Sequence, residues 1–387
     1  MKKIGIGMIG CGGRLRDVVR HLRAATDQVE VVAVSDPNPH SIKAAKEMHN
    51  PAAKVYEDYH DLVRDPAVEW VMIGSWNCFH AEHTIAAFEA GKNVFCEKPL
   101  ALSVKDCIAM RDAWRASKKM FSIGFTLRYS PHYQRIKEIL AAGKIGKILS
   151  MEFNETIDFN HGGYIHADWR RKTEWAGSHM LEKCCHDLDL VNWMTESMVV
   201  KAASFGGCDF FTPANAHHAT RIGPSPEGKQ AFTTWSSDTI NGNIINPFTD
   251  DKDILDNQVA ILQFASGARA SFQANACTGI HERRMYICGT EGTLRADVIT
   301  GQLEVCRIGF DTQLEDLHTV ASGGHGGGDT VLGAGLADTI VRGAPPITSL
   351  EDGLRAAFTA FGIDEAQRTG TVFDLTPFWR KAGMDIK

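Results

Sequence analysis

Near the start of the chain, an apolar run passes into a cluster of glycines: Ile4-Gly5-Ile6-Gly7-Met8-Ile9-Gly10-Cys11-Gly12-Gly13-Arg14-Leu15. The run at 4–9 predicts a β-strand, and 14–26 carries apolar residues at helical spacing. Glycines at such a turn allow a tight bend and a close approach to a phosphate group at the helix N-terminus. Leu15 replaces the usual third glycine, so an ordinary strand-to-helix turn is the alternative. The order of elements favours a dinucleotide-binding turn.

A carboxylate follows the second predicted strand. Asp36 comes after the β-branched run 30–34, at the distance expected of the acid that binds a ribose 2′-hydroxyl. This acid would repel a 2′-phosphate, and the stretch 37–40 contains no Arg or Lys that could bind one. The alternative is a turn residue, since Asp-Pro-Asn-Pro is also a good turn sequence. Strand, glycine turn, helix, strand and acid in this order predict a Rossmann domain that binds NAD rather than NADP.

The pattern of elements changes about one third of the way along the chain. Before that point strand-like and helix-like runs alternate, which indicates a parallel sheet covered on both faces. Beyond it, long strand-rich stretches are separated by glycine turns, which is typical of a mostly antiparallel sheet. These stretches are 148–156, 200–207, 258–277 and 284–307. We therefore predict an α/β fold with a Rossmann domain at 1–125 and an α+β substrate-binding and oligomerisation domain at 126–387.

The composition restricts the class of protein. The chain has 387 residues and a formal net charge of -6 without a dominant basic cluster, which argues against a nucleic-acid partner. No segment approaches the roughly 18 apolar residues that a membrane span requires. Ten cysteines without a C-x-x-C pair favour reduced thiols and a cytoplasmic location. A large open sheet with one apolar face would not stay exposed, so we expect a homo-oligomer.

Three further segments carry a resemblance to a known family. They are Ser75-Trp76-Asn77-Cys78-Phe79-His80, Cys96-Glu97-Lys98-Pro99-Leu100-Ala101 and Leu181-Glu182-Lys183-Cys184-Cys185-His186-Asp187-Leu188-Asp189-Leu190. With the glycine turn, they resemble the family of glucose-fructose oxidoreductase and inositol dehydrogenase, the Gfo/Idh/MocA family, over nearly the whole chain. The resemblance implies an N-terminal Rossmann domain, a C-terminal open sheet, dimers or tetramers, and NAD(P)-linked chemistry on sugars or cyclitols.

The resemblance also points to catalytic residues. Lys98 matches the family's catalytic lysine and His186 its catalytic histidine, while Glu182 stands where the family often has an aspartate. These residue types suit alcohol oxidation, because His186 can accept the hydroxyl proton and Lys98 can stabilise the developing alkoxide. A helix over 178–194 would place Glu182 and His186 on one face, where Glu182 can orient the imidazole. The alternative is a solvated Glu–His pair. We expect the active site in the cleft between the two domains.

Two larger sets complete the predicted site. The residues expected to contact NAD are Gly10, Gly12, Gly13, Arg14, Asp36, Ser75, Trp76, Asn77, His80, Glu97 and Lys98. The residues expected to contact a sugar offer aromatic faces or hydrogen-bonding groups; they are Arg128, Tyr129, Tyr164, His166, Asp168, Trp169, Lys183 and His325.

The glycine-rich stretch around His325 is either a mobile lid or a plain loop before a helix capped by Asp329. No metal site is predicted, because adjacent Cys184 and Cys185 would point about 100° apart on a helix and could not easily share one ion.

Three functions fit this pattern. The first is an NAD-dependent dehydrogenase that removes hydride from a secondary hydroxyl of a sugar, glycoside or cyclitol. The second is an oxidoreductive glycosidase, in which NAD transiently oxidises the sugar ring, the aglycone is eliminated and the hydride returns. That reaction needs one more acid or base, which Tyr164, His166 or Asp168 could supply. The third is a non-catalytic NAD sensor, against which the presence of Lys98 and His186 speaks.

Overall fold

The computed structural model of the chain describes residues 3–233, 245–320 and 323–386. The chain divides into two compact units. The first unit comprises Met1–Gln134 and Ser322–Ala357, and the second comprises Arg135–Ala321 and Phe358–Lys387. These units differ from the predicted limits 1–125 and 126–387, since the first unit includes a stretch from late in the sequence.

Fifteen strands are described. In chain order they are β1 (Ile4–Ile9), β2 (Val29–Ser35), β3 (Lys54–Val55), β4 (Trp70–Ile73), β5 (Asn93–Cys96), β6 (Phe121–Ile123), β7 (Ile148–Asp158), β8 (Val199–Gly207), β9 (Asn257–Phe264), β10 (Arg269–Thr278), β11 (Arg284–Gly289), β12 (Gly292–Asp297), β13 (Gln302–Arg307), β14 (Glu315–Asp316) and β15 (Phe373–Asp374).

Fourteen α-helices are described. In chain order they are α1 (Gly13–Ala25), α2 (Pro39–His49), α3 (Tyr59–Arg64), α4 (His80–Glu89), α5 (Val104–Ser117), α6 (Pro131–Ala141), α7 (Phe159–His166), α8 (Thr173–Ala176), α9 (His179–Glu182), α10 (Cys185–Thr195), α11 (His217–Ile222), α12 (Gly328–Arg342), α13 (Leu350–Thr369) and α14 (Thr376–Lys381).

The first unit is built on a six-stranded parallel sheet in the order β3-β2-β1-β4-β5-β6. Its central strand β4 is buried at every position, as expected for a strand covered on both faces. The chain runs outward from β1 to β2 and later returns to β4 on the other side of β1. Ligands of open α/β sheets bind at such a switch point, outside the carboxyl ends of the strands. The turns that follow β1 and β4 both begin there.

The second unit is built on a nine-stranded sheet in the order β14-β13-β12-β11-β7-β10-β9-β8-β15. All pairs are antiparallel except β7 with β10. Strand β9 alternates between buried and exposed side chains, so the sheet has one covered and one open face. The predicted fold class, a Rossmann domain followed by a mostly antiparallel sheet domain, is confirmed.

Helix α12 packs against α1 in the first unit. Gly333 is the reason that the two can approach closely, because a Cβ atom at this position would lie 2.6 Å from the backbone of His21. The glycine-rich stretch before α12 therefore belongs to the cofactor-binding unit. Its sequence could not reveal this, since the partner helix is more than 300 residues away.

Two further predictions concern segments of the second unit. The sequence at 215–253 is polar and contains Gly and Pro, which predicts a long loop between strands; the structure places α11 in it, and residues 234–244 lie outside the described part of the chain. Within that described part, no helix is both long enough and apolar enough to cross a membrane.

Candidate active site

The turn after β1 has the shape that a dinucleotide requires. Gly10 has φ +78°, and a Cβ atom there would lie 2.2 Å from the amide nitrogen of Ser75, so only glycine allows β1 and β4 to end so close together. A Cβ atom at Gly12 would meet nothing within 4 Å. Helix α1 starts at Gly13, and no side chain caps its N-terminus. These open amides fit a pyrophosphate group.

Asp36 follows β2 and is tied to the glycine turn. Its Oδ2 accepts a hydrogen bond from the Cys11 amide at 2.5 Å, and its Oδ1 accepts one from the Asn38 amide at 2.7 Å. Burial raises the pKa of this carboxyl, and the two amide hydrogen bonds oppose that shift. Asp36 is half-buried, so the carboxylate both shapes the turn and retains an exposed edge for a ribose.

Lys98 follows β5, separated from it by Glu97, and is half-buried. Its neighbour Glu97 accepts a hydrogen bond from Arg14 Nε at 3.0 Å. Arg14 also donates to Asp329 Oδ1 at 2.6 Å, and the second oxygen of Asp329 lies 3.0 Å from His325 Nδ1. We call these four side chains, Glu97, Arg14, Asp329 and His325, the Arg14 network. It joins the glycine turn, the residue beside Lys98 and the start of α12.

The Arg14 network changes the interpretation of three predicted contacts. Arg14 and Glu97 were both expected to bind NAD, yet each side chain is engaged by the other. His325 was expected to reach a sugar as part of a lid, but Asp329 holds it in the first unit. Burial alone would raise the pKa of Asp329, but His325 and Arg14 bring it well below its usual value. Asp329 was foreseen as a helix cap, and its role as an ion-pair partner of Arg14 was not.

The turn after β4 is stabilised by two histidines. Ser75 Oγ lies 2.9 Å from His83 Nδ1. The two ring nitrogens of His80 lie 2.7 Å from the Pro99 carbonyl oxygen and 3.1 Å from that of Ser75. His80 is completely buried, and its contact with NAD stays a prediction. Its two ring nitrogens hold the turns that carry Ser75 and Lys98. Asn77 is likewise buried, while Trp76 is half-buried.

In the second unit, the predicted helix over 178–194 is interrupted. Helix α9 ends at Glu182 and α10 begins at Cys185. Between them the Cys184 amide donates to the His179 carbonyl oxygen, five residues back, at 3.3 Å, so the chain makes one wide turn. Glu182 and His186 therefore lie on different helices, and the argument that they share one helical face is wrong. Spacing alone could not show the break, because no Pro or Gly marks it.

Buried ion pairs hold the segment that carries His186. Lys183 Nζ lies 3.2 Å from Glu155 Oε1, and Arg283 donates two hydrogen bonds to Asp187 at 2.8 and 2.6 Å. Arg283 also reaches Glu155 at 3.1 Å. Burial by itself would raise the pKa of Glu155, but Arg283 and Lys183 lower it. The positions on either side of the buried His186 side chain are thereby fixed, and Lys183 is engaged by Glu155.

Arg170 organises a second polar group in the same unit. Its Nε donates to Glu182 at 3.0 Å, and its Nη1 donates to the Tyr164 hydroxyl at 2.8 Å and to Asp168 Oδ2 at 2.7 Å. The guanidinium carbon also lies 4.4 Å from the centre of the Trp169 ring. The structure thus brings together Tyr164, Asp168 and Trp169, which the sequence offered as sugar contacts. It adds Glu182 and Arg170, of which Arg170 had been given no role.

Three other predicted sugar contacts lie in the interior. Tyr129 belongs to the hydrophobic core of the first unit, with its hydroxyl 3.3 Å from Thr348 Oγ1. Arg128 is buried and donates to Asp352 at 2.9 Å. His166 has no exposed surface and stacks on Phe211 at 4.3 Å. Helical and loop geometry turns each of these three side chains inward, which residue type does not reveal, and their contact with substrate stays a prediction.

Two family models match this chain. One, described as an oxidoreductase family with an NAD-binding Rossmann fold, covers residues 4–125. The other, the C-terminal alpha/beta domain of the same oxidoreductase family, covers residues 137–375. The chain belongs to the Gfo/Idh/MocA oxidoreductase family. As a member, it carries that family's NAD-binding domain, and the glycine turn and Asp36 described above fit the cofactor.

Curated relatives in the Gfo/Idh/MocA family match about half of the chain. Inositol 2-dehydrogenase of Gluconacetobacter diazotrophicus is 34% identical over 203 residues, 51% of this chain and 56% of that protein. Inositol 2-dehydrogenase of Salmonella typhimurium is 38% identical over 194 residues, 49% of this chain and 53% of that protein. The chain thus spans about half the length of the curated relatives that it matches.

Solved structures of the Gfo/Idh/MocA fold match nearly the whole chain. An oxidoreductase domain protein from Kribbella flavida has a TM-score of 0.78 at 22% identity and covers 97% of this chain and 100% of its own. A levoglucosan dehydrogenase in complex with NADH and levoglucosan has a TM-score of 0.77 at 20% identity, with coverage of 97% and 100%. At this identity the likeness shows the fold.

Proposed function

We propose that this Gfo/Idh/MocA protein is an NAD-dependent dehydrogenase that oxidises a secondary hydroxyl of a cyclitol or sugar. The observation that carries the proposal is the position of Lys98. It follows β5, the strand next to β4, at the sheet edge where the glycine turn and Asp36 fit NAD. The inositol 2-dehydrogenases among the relatives support a cyclitol as the first substrate class to test.

The chain's own residues have distinct tasks in this reaction. Bound NAD supplies the hydride acceptor. His186 is the general base that takes the proton of the hydroxyl group. The ammonium group of Lys98 stabilises negative charge on the substrate oxygen and relays the proton. Glu182, held by Arg170 at 3.0 Å, is a positioning residue for the segment that leads to His186. We also propose a cytoplasmic location, because the ten cysteines are free thiols and a reducing compartment keeps thiols in this state.

A cofactor assay distinguishes this function from the two alternatives. The purified protein is given NAD and a panel of inositols, free sugars and aryl glycosides, while NADH absorbance and aglycone release are followed together. A dehydrogenase accumulates NADH in proportion to oxidised substrate. Aglycone release without net NADH would instead show the glycosidase, and NAD binding without turnover of any compound would show a sensor.

Two substitutions test the assigned roles. Lys98→Met and His186→Ala should each lower kcat by roughly 10²–10⁴-fold, the usual loss when a general acid or base is removed. NAD affinity should change little, because the glycine turn and Asp36 are intact. Lys105→Met, which removes an exposed lysine from the first unit, is the matched control and should retain activity. Unchanged kcat in both active-site variants would contradict the mechanism.

A further inference from the structure

The group around Arg170 contains three charged side chains in contact, Arg170, Asp168 and Glu182. Arg170, Tyr164, Asp168, Trp169 and Glu182 form what we call the Arg170 array. The Arg170 side chain is 20% exposed, while those of Asp168 and Glu182 are 12% and 7% exposed. Ion pairs at this depth are screened weakly by water, so each unbalanced charge there has a large effect on what can bind.

The guanidinium of Arg170 is held in one orientation. It spans two carboxylates and a phenol, and it lies flat over the Trp169 ring at 4.4 Å and near the Tyr164 ring at 5.1 Å. Lysine could not reproduce this arrangement, because it lacks the planar fork of donors. Arg170 thereby fixes the positions of two acceptors, Asp168 and Glu182, and of one aromatic face, Trp169.

The charges of this region balance almost completely. In the array, one guanidinium faces two carboxylates, which gives a formal charge of -1. In the neighbouring pairs, Lys183 and Arg283 face Glu155 and Asp187, a formal sum of zero, and burial raises the pKa of Asp187, which shifts this sum toward positive. Burial, followed by the repulsion of Lys183, lowers the pKa of His161 to about 2, so this histidine adds no positive charge near neutral pH.

We infer that Arg170 determines substrate specificity by making the array selective for uncharged polyhydroxyl compounds over sugar acids. An anionic group would meet cations that carboxylates already occupy, and an excess of one negative charge. A hydroxyl group of the substrate can donate to Asp168 while the carbon face of the substrate ring stacks on Trp169, without any change in charge. This inference rests on the proposed function, because it assigns the array to the same substrate.

The test compares three ligands that differ in charge at one position: glucose, glucosamine and glucuronate, with myo-inositol as the cyclitol. Binding to the NAD-loaded protein is measured by calorimetry at pH 6.5, where an amine of this type is protonated, and NADH formation is measured in parallel. The variants are Arg170→Met, Arg170→Lys and the control Arg135→Met, which removes an exposed arginine paired with Glu138 in the same unit. Circular dichroism and thermal midpoints report whether each variant is folded.

The wild-type protein should bind myo-inositol or glucose, and glucuronate at least about tenfold more weakly. Arg170→Met should weaken the uncharged ligands by about 10- to 100-fold, the range for lost hydrogen bonds to charged groups. The same variant leaves two uncompensated carboxylates, so the ratio of glucosamine to glucose affinity should rise about tenfold or more. Arg170→Lys keeps the charge and should leave that ratio near the wild-type value, although binding weakens.

Several results would overturn the inference. They are equal affinity of the wild type for glucose and glucuronate, an unchanged glucosamine-to-glucose ratio in Arg170→Met, and no binding of any ligand in the panel. A merely structural role of Arg170 would weaken all ligands alike and would not move the ratio. Binding of both myo-inositol and glucose without NADH formation from either would contradict the proposed dehydrogenase, while the affinity ratios still decide the role of Arg170.

Discussion

The Asp36 carboxylate accepts a hydrogen bond from the Cys11 amide of the glycine turn. The sequence predicts that the same carboxylate also binds a ribose 2′-hydroxyl. A substitution at this residue can therefore act through its charge or through the shape of the turn. Asp36→Asn separates the two effects, because the amide side chain keeps an oxygen acceptor and loses the charge.

The wild-type protein should bind NAD at least about tenfold more tightly than NADP, since about 1.4 kcal/mol of repulsion between Asp36 and a 2′-phosphate corresponds to one factor of ten. Asp36→Asn should reduce this preference, and Asp36→Ala combined with Asn38→Arg should move it toward NADP. Fluorescence titration with both cofactors measures the ratio. Asp27→Ala, an exposed acid of the same unit, should leave it unchanged. Equal affinities in the wild type would exclude this role of Asp36.

His166 provides a test of burial at the residue scale. It is completely buried, neither ring nitrogen has a hydrogen-bond partner among the described residues, and burial places its pKa well below the usual 6.5. The folded protein therefore keeps His166 neutral, whereas the unfolded chain takes up a proton below pH 6.5. The free energy of unfolding that depends on this group is present above pH 6.5 and is lost as the pH falls.

His166→Phe should make the free energy of unfolding less steeply dependent on pH between 6.5 and 5, by about 1.4 kcal/mol per pH unit for one proton. Urea denaturation at several pH values measures this slope. Phe211→Leu alters the same stacked pair without removing a titratable group, so it should lower stability at every pH and leave the slope unchanged. Equal slopes for the wild type and His166→Phe would show that His166 is not held neutral.

At the scale of elements, α12 owes its position to groups far away in the sequence. Gly333 lets it approach α1, and Asp329 binds Arg14 at its start. His325, in the turn that precedes this helix, has φ +52°, an unfavourable backbone conformation for a residue other than glycine. The contact with Asp329 helps to hold it there. The glycine-rich stretch around His325 is therefore a loop held in place by the Asp329 contact within the first unit.

Asp329→Asn should lower the free energy of unfolding by about 1–3 kcal/mol, because the part-buried guanidinium of Arg14 loses a charged partner. It should also weaken NAD binding, since Arg14 lies in the first turn of α1. Asp338→Asn on the same helix breaks an exposed pair with Arg342 and should cost about 0–1 kcal/mol. Thermal unfolding and NAD titration of both variants provide the comparison. If both substitutions lowered the free energy of unfolding by the same small amount, the Arg14 network would not contribute to the stability of the protein.

At the scale of the whole molecule, the open face of the nine-stranded sheet carries several exposed apolar side chains. Phe205 and Ile261 are 72% and 64% exposed, and Val259 and Tyr286 are 45% and 44% exposed. The strand register places Phe205 opposite Val259, so these apolar side chains share one face. Exposed apolar surface of this kind favours association with a second copy of the chain.

The protein should therefore form dimers or tetramers in light scattering at micromolar concentration. Ile261→Glu together with Phe205→Glu should shift it toward the monomer, because two buried charges would face each other across a symmetric interface. Phe310→Glu alters an even more exposed aromatic residue outside the strands and is the control. A stable wild-type monomer would refute this prediction.

The sequence by itself determined the features that depend on neighbouring residues: the glycine turn, the acid after β2, the alternation of strands and helices, and the family motifs around Lys98 and His186. Local spacing specifies these features because periodicity and turn chemistry act over a few residues.

Only the tertiary structure decided which charges pair, as Arg14 does with Asp329 and Arg170 with Glu182. It also decided that the chain breaks between α9 and α10 and that His80, Tyr129 and His166 are buried. The physical reason is that burial and ion pairing depend on groups distant in the sequence, which packing brings together and which no local pattern encodes.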